Sequence, residues 1–244
     1  GVGPADRLKQ IKIPQIKELP VGKTLYDHTG HYGLIFTTNL TAQPSEENLL
    51  EEFLQGSDAT PLSLAGGVEV LTFGRVPNSI HPEGVADYEI ISFYGSMGAE
   101  EYLEKMINFD PETYNPVFMP FRNSSKVHFT LAVMPFFPKS SGELYLRDNN
   151  PLSPPVIDPK FFSNSDDVEV VLQGIKQAIR ITETPVFKKL GTQLYEAKIP
   201  SCLQYEFNTD DYWRCSIRIL SSSLYHPVGT CRMGPPTDSK AVVD

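Results

Sequence analysis

At 244 residues with 40% hydrophobic side chains, the chain is long enough to bury one large core or two smaller ones. Its net charge of −9 and isoelectric point near 5.1 argue against nucleic acid or an anionic membrane surface as partner, because both demand a basic footprint and no basic cluster occurs. The longest apolar runs, such as 131–137, fall well short of the ~20 residues that a membrane span requires.

Pro4 suits the first turn of a short helix, and Ile13-Pro14 follows it. The β-branched and aromatic residues from His31 to Thr38 predict a strand entering a second domain. Ser45 is placed to cap a helix in which Leu49, Leu50, Phe53 and Leu54 share a face and Gly56 ends it. Strand patterns recur at 68–73, 88–94 and 126–134, and Pro77 and Pro82 make the stretch from Gly74 to Asp87 a loop. Glu100, Glu101 and Glu104 read as the solvated face of a short helix rather than a ligand cluster.

Residues 141–147 alternate polar and apolar side chains as a half-buried strand does, and Pro151, Pro154, Pro155 and Pro159 then stiffen an extended connection. The strongest helical pattern comes next. Val168, Val171, Leu172, Ile175, Ala178 and Ile179 fall on one helical face, with Ser163 and Asp166 as start signals. Thr184-Pro185 opens a short helix that Gly191 ends, and 194–199 reads as a strand. Asn208, Asp210 and Asp211 start a last helix with Trp213, Ile217 and Leu220 turned inward.

That helix delivers the chain to Ser221-Ser222-Ser223-Leu224-Tyr225-His226-Pro227. His226 stands between small hydroxyl residues and a segment punctuated by Gly229 and Gly234, where backbone can turn sharply or approach a ligand. Pro227 biases it towards an extended conformation. Two readings fit: an acid/base group, or a hydrogen-bonded structural histidine. His28 and His31 bracket Thr29-Gly30 at a spacing that suggests a metal pair, but no third ligand is nearby and a structural role is favoured. Cys202 and Cys215 are close enough in sequence for a local bridge, which would leave Cys231 over; three buried thiols fit equally. Asn39-Leu40-Thr41 and Asn123-Ser124-Ser125 are glycosylation-type sequons compatible with secretion. The sequence contains no G-x-G-x-x-G after a strand, P-loop, H-E-x-x-H, C-x-x-C or G-x-S-x-G, so kinase, zinc-protease and α/β-hydrolase readings lack their parts. The serines beside His226 imitate a nucleophile with its base, yet no orienting acid or oxyanion site can be identified.

Four stretches in order resemble one family. His226-Pro227-Val228-Gly229-Thr230-Cys231-Arg232-Met233-Gly234 is similar to the histidine segment of the glucose-methanol-choline (GMC) oxidoreductases. Gly1-Val2-Gly3-Pro4 resembles the close of their second signature, and Leu19-Pro20-Val21-Gly22-Lys23-Thr24-Leu25-Tyr26-Asp27-His28 resembles their "LPVGxNLxDH" segment. Ser141-Gly142-Glu143-Leu144-Tyr145-Leu146-Arg147, with Asp148 and the proline-rich run after it, resembles the start of their C-terminal domain. Tyr212-Trp213-Arg214-Cys215 with Tyr225-His226 is particularly similar to the insect glucose dehydrogenase branch.

The resemblance implies an α+β fold: a substrate-binding domain with a mostly antiparallel sheet flanked by helices, plus a remnant of the FAD-binding domain. It divides the chain into 1–30, the end of the FAD-binding region; 31–138, substrate-binding; and 139–244, the C-terminal domain short of its final flavin-binding segment. It implies an FAD-dependent oxidoreductase acting on the CH–OH group of an alcohol or sugar, with a quinone-like electron acceptor and a secreted location. His226 inherits the acid/base role, and no metal is expected. Cofactor-binding residues stay unassigned, and Thr24 departs from the family's usual Asn. The family's dinucleotide fingerprint would precede Gly1 and its second catalytic His or Asn would follow Asp244. The chain is therefore expected to be a central and C-terminal portion, in which FAD is held mainly by segments it lacks. The alternative is a truncated, non-catalytic paralogue that keeps the fold for binding.

Overall fold

The computed structural model describes residues 1–41, 50–51, 53–56, 68–94, 101–122 and 124–244. Strand β1 (Val2–Gly3), helix α1 (Ala5–Gln10) and β2 (Lys17–Glu18) open the chain, followed by β3 (Thr29–His31), β4 (Ile35–Thr41), β5 (Val68–Gly74) and β6 (Tyr88–Tyr94). Helices α2 (Glu101–Ile107) and α3 (Pro111–Phe118) lead to β7 (Lys126–Pro135), and β8 (Glu143–Tyr145) and β9 (Val156–Asp158) precede α4 (Ser165–Thr182). Helix α5 (Pro185–Lys189), β10 (Gln193–Leu194), α6 (Asp210–Ile219) and β11 (Ser221–Ser223) complete the order. Two compact units result: one of Gly1–His28, Pro138–Asp167 and Ser223–Asp244, the other of Thr29–Phe137 and Val168–Ser222.

In the second unit the polypeptide is organised on β7. It pairs antiparallel with β6 along one edge and with β4 and β3 along the other, while β5 extends the sheet beyond β6 and β10 beyond β4. From Thr130 to Pro135 every β7 residue is buried, which requires cover on both faces of the strand. One cover is α4, whose Val168, Val171, Leu172, Ile175 and Ala178 are buried, each larger side chain contributing roughly 1.5–3 kcal/mol relative to exposure. The helix lies close enough that a Cβ on Gly174 would stand 2.4 Å from a Val133 methyl, so only glycine fits there. Helix α6 buries Trp213 and Ile217 as its pattern predicts, Leu220 is buried just past its end, and a disulfide joins its Cys215 to Cys202. Of the two readings of the cysteines, the bridge is correct; Cys231 is free and exposed.

The fold is α+β, as expected, and the boundaries move for local reasons. Helix α4 starts at Ser165 because the Asn164 side-chain oxygen accepts the Asp166 N–H at 2.9 Å, a cap that Ser163 does not supply. For α6 the cap is Thr209, which accepts from the Tyr212 N–H, while Asn208 takes φ 62° and accepts the Trp213 indole N–H at 2.9 Å. The strand expected over 194–199 stops at Leu194: the Tyr195 N–H makes a last bond to the Ile35 carbonyl, and then Ala197 N–H bonds back to the Tyr195 carbonyl and Ile199 N–H to that of Ala197. Helix α3 carried no clear signal, since Pro116 lies inside it. Gly56 ends a helical turn at φ 81° as read, but Leu50, Phe53 and Leu54 are exposed; Ser45 and Leu49 lie outside the described residues, as does Glu100. Glu104 is not simply solvated, because it accepts from the Arg122 guanidinium at 2.6 Å. Among the described residues no helix is long and apolar enough to cross a membrane.

Candidate active site

In the first unit one extended strap, residues 22–28, pairs through its backbone with other stretches of the chain. Gly22 N–H donates to the Thr230 carbonyl at 2.8 Å and its carbonyl accepts from Leu144 N–H at 2.8 Å, so a single residue ties three sequence stretches together. Its φ of 73° and the Leu144 carbonyl oxygen, 1.9 Å from where a Cβ would stand, make glycine obligatory. Further along, Leu25 exchanges both backbone bonds with Gly142, and Tyr26 exchanges both with Val228. His28 then accepts through its carbonyl from Leu224 N–H at 2.9 Å. The strap thereby lies antiparallel to residues 224–228 and presents Asp27 and His28 to them.

Asp27 holds the histidine segment in place. One carboxylate oxygen accepts the His226 backbone N–H at 2.9 Å, and the other accepts the Ser223 hydroxyl, which itself accepts Tyr225 N–H at 2.9 Å. Tyr225 sits at φ 61° and Gly229 at φ 97°, and the backbone between them carries the imidazole outwards. Gly229 packs over Thr24, whose methyl lies 3.4 Å from where a Cβ would stand. Thus the residue that departs from the family pattern fills space beside the histidine segment.

The His226 side chain is exposed, and its Nδ1 lies 3.0 Å from Nδ1 of His28, with the two rings nearly perpendicular and their centroids 5.3 Å apart. Among the described residues no hydrogen-bond partner lies at His226 Nε2. Tyr225 and Val228, beside it in the chain, are also exposed. A separate cavity of about 240 Å³ in the same unit is lined by β1, α1, residues 21–23 and 143–146, with the Arg7 guanidinium 4.0 Å over the Tyr145 ring; neither histidine lines it.

His31 belongs to the second unit, is fully buried against Trp213, and has only Ser216 Oγ at 3.5 Å from Nε2, with no partner at Nδ1. Burial pushes its pKa down to about 3, against a smaller opposing pull from the Leu220 backbone. No group of three or more potential metal ligands occurs among the described residues. Of the two sequons, Asn39 is exposed and Asn123 lies outside the described residues. The neighbour of His226 that sequence reasoning did not bring to it is His28; the signal available was its place in the strap motif directly after Asp27.

Residues 138–244 match the family model described as GMC oxidoreductase. The glucose dehydrogenase [FAD, quinone] of Drosophila melanogaster is 28% identical over all of this chain, which covers 37% of that protein. The alcohol dehydrogenase [acceptor] of Pseudomonas putida is 34% identical, again over the whole chain and 40% of its own length. The chain therefore spans about two fifths of these curated relatives. Among solved structures, a formate oxidase of Aspergillus oryzae superposes with a TM-score of 0.70 at 19% identity, covering 95% of this chain and 41% of the other. The pyridoxine 4-oxidase of Mesorbium loti gives 0.67 at 18%, covering 100% and 39%. Residues 138–244 thus carry a GMC oxidoreductase domain, and the chain as a whole is similar in sequence to these dehydrogenases and shares the fold of the two oxidases.

Proposed function

We propose that the protein carrying this chain is a secreted FAD-dependent oxidoreductase that oxidises the CH–OH group of an alcohol or sugar and passes electrons to a quinone-like acceptor, with His226 as its acid/base group. The observation that carries this reading is the exposed His226 imidazole, anchored through its backbone by Asp27 and bare at Nε2. The names of the relatives support the reaction class. FAD supplies the hydride acceptor, a task no side chain can perform. The exposed apolar side chains next to His226 in sequence, Tyr225 and Val228, would offer cover to such a flat ring.

His226 contributes the proton chemistry. Its Nε2 accepts the hydroxyl proton as the carbonyl forms, assistance typically worth ~10²–10⁴-fold in rate. Asp27 keeps the segment in register by accepting from the His226 backbone and from Ser223, so the imidazole need not search for its position. The Cys202–Cys215 bridge supports the secreted location, because such bonds persist in oxidising compartments.

The test is turnover by the flavin-loaded full-length protein with alcohols and sugars and an artificial electron acceptor, before and after His226→Ala. The expected result is a kcat loss of ~10²–10⁴-fold with the flavin still bound. Absence of turnover in the unmodified protein would favour the non-catalytic binding reading. Equal turnover in both proteins would remove His226 from the mechanism.

A further inference from the structure

We infer that His28 is a positioning residue that accepts the His226 Nδ1–H and so fixes the tautomer in which His226 Nε2 is the bare, proton-accepting nitrogen. The inference rests on the acid/base reading of His226, and it begins from the 3.0 Å separation between the two Nδ1 atoms.

A neutral imidazole carries one N–H and one lone pair, and two such nitrogens at hydrogen-bond distance must take opposite roles. If His28 donated, His226 would hold its proton on Nε2 and present a filled position to substrate. If His28 accepts, His226 holds its proton on Nδ1 and Nε2 is open. Only the second arrangement survives the chemistry unchanged. When Nε2 takes the hydroxyl proton, His226 becomes an imidazolium whose Nδ1–H still points at His28 Nδ1, and that bond gains charge assistance. In the first arrangement proton uptake would need Nδ1 itself, and the pair would have to separate. His28 in turn carries its single proton on Nε2.

The rest of the site serves this assignment. The Asp27 carboxylate is occupied by the His226 backbone N–H and the Ser223 hydroxyl, so it does not orient the ring in the way a carboxylate commonly does. The backbone bond from Leu224 N–H to the His28 carbonyl, with the paired bonds between Tyr26 and Val228, keeps the two histidines in register. Among the described residues, His28 alone brings an acceptor to His226 Nδ1.

The direct test is nitrogen NMR of the full-length protein labelled with 15N-histidine, at a pH where both rings are neutral, which distinguishes Nδ1–H from Nε2–H forms. The expected spectrum has His226 as Nδ1–H and His28 as Nε2–H. His28→Asn, whose side-chain oxygen stands close to where Nδ1 was, retains the His226 form, whereas His28→Leu lets it exchange between both. In the flavin-loaded protein, His28→Leu then lowers kcat on the order of tenfold to a hundredfold with KM little changed, and His28→Asn restores most of it. An Nε2–H form of His226 in the wild type, or an unchanged His226 spectrum in His28→Leu, overturns the assignment. Should the Leu variant fail to fold, the wild-type spectrum and the Asn variant decide alone. If the tautomers are as stated while His226→Ala turns over normally, the acid/base reading fails and the hydrogen-bond assignment stands.

Discussion

His28 and His31 lie three positions apart, one in each unit, and their environments could hardly differ more. His31 sits among Trp213, Ser216 and Gly33 with nothing bonded to Nδ1, and burial holds it neutral. His28 sits half-buried on a hydrogen-bonded strap and meets the exposed ring of His226. The contrast extends to the regions around them. The second unit is a sheet buried on both faces at β7 and covered by α4, where apolar area supplies the stability. The strap of the first unit is held by reciprocal backbone bonds and one carboxylate, which set positions more than they add stability, since each bond nets only ~1 kcal/mol.

The largest effect that would test this division is in the core. Leu172→Ala, at a fully buried position of α4, is expected to cost ~2–5 kcal/mol in urea denaturation followed by fluorescence of Trp213, the single tryptophan, while the exposed His226→Ala stays within ~0.5 kcal/mol. Comparable losses for both would erase the distinction between the two regions.

An intermediate effect concerns pH. The unfolded chain protonates His31 below about pH 6.5, while the folded protein holds the ring neutral until about 3, so the unfolded state binds the extra proton throughout that window. Stability therefore declines as pH drops from about 6.5 towards 3, by up to ~1.4 kcal/mol per unit from this group, and is fully present above 6.5. Denaturation midpoints between pH 4 and 7 should flatten in His31→Gln relative to wild type. Parallel profiles would mean that the ring is not the group that resists protonation.

The smallest thermodynamic effect belongs to the strap. Asp27→Asn removes one acceptor from the pair that holds the His226 N–H and the Ser223 hydroxyl, and should cost only about 1 kcal/mol. Turnover of the flavin-loaded protein should nevertheless fall clearly, because the His226 segment loses its register. Wild-type kcat in that variant would show that the strap supports the fold and not the site.

Much of this was readable along the chain. The apolar period of α4, the β-branched runs of β5, β6 and β7, and the inward stripe of α6 each report a local geometry, because burial on one face repeats at the pitch of the element that carries it. Capping details were readable only in part: Asn164 and Thr209 displaced Ser163 and Asn208 by one residue, a choice made by side-chain hydrogen bonds that spacing does not reveal. Residues 195–199 have strand-like composition, yet the pairing with β4 ends at the Tyr195 N–H, since the N–H groups of Ala197 and Ile199 turn back on nearby carbonyls. His28 was passed over for a related reason. Judged beside His31 it was half of an unconvincing metal pair, whereas its partner lay 198 positions away.

From residue order alone follow the α+β class, the main elements, the four motifs and His226 as the group to watch, because each is written in local pattern or in contiguous segments. Tertiary structure alone decided that residues 22–28 run antiparallel to the His226 segment, that Cys202 pairs with Cys215, and that two histidines distant in sequence meet. The physical reason is that hydrogen bonds and disulfides act over a few ångströms, and only the folded backbone determines which distant residues come within that range.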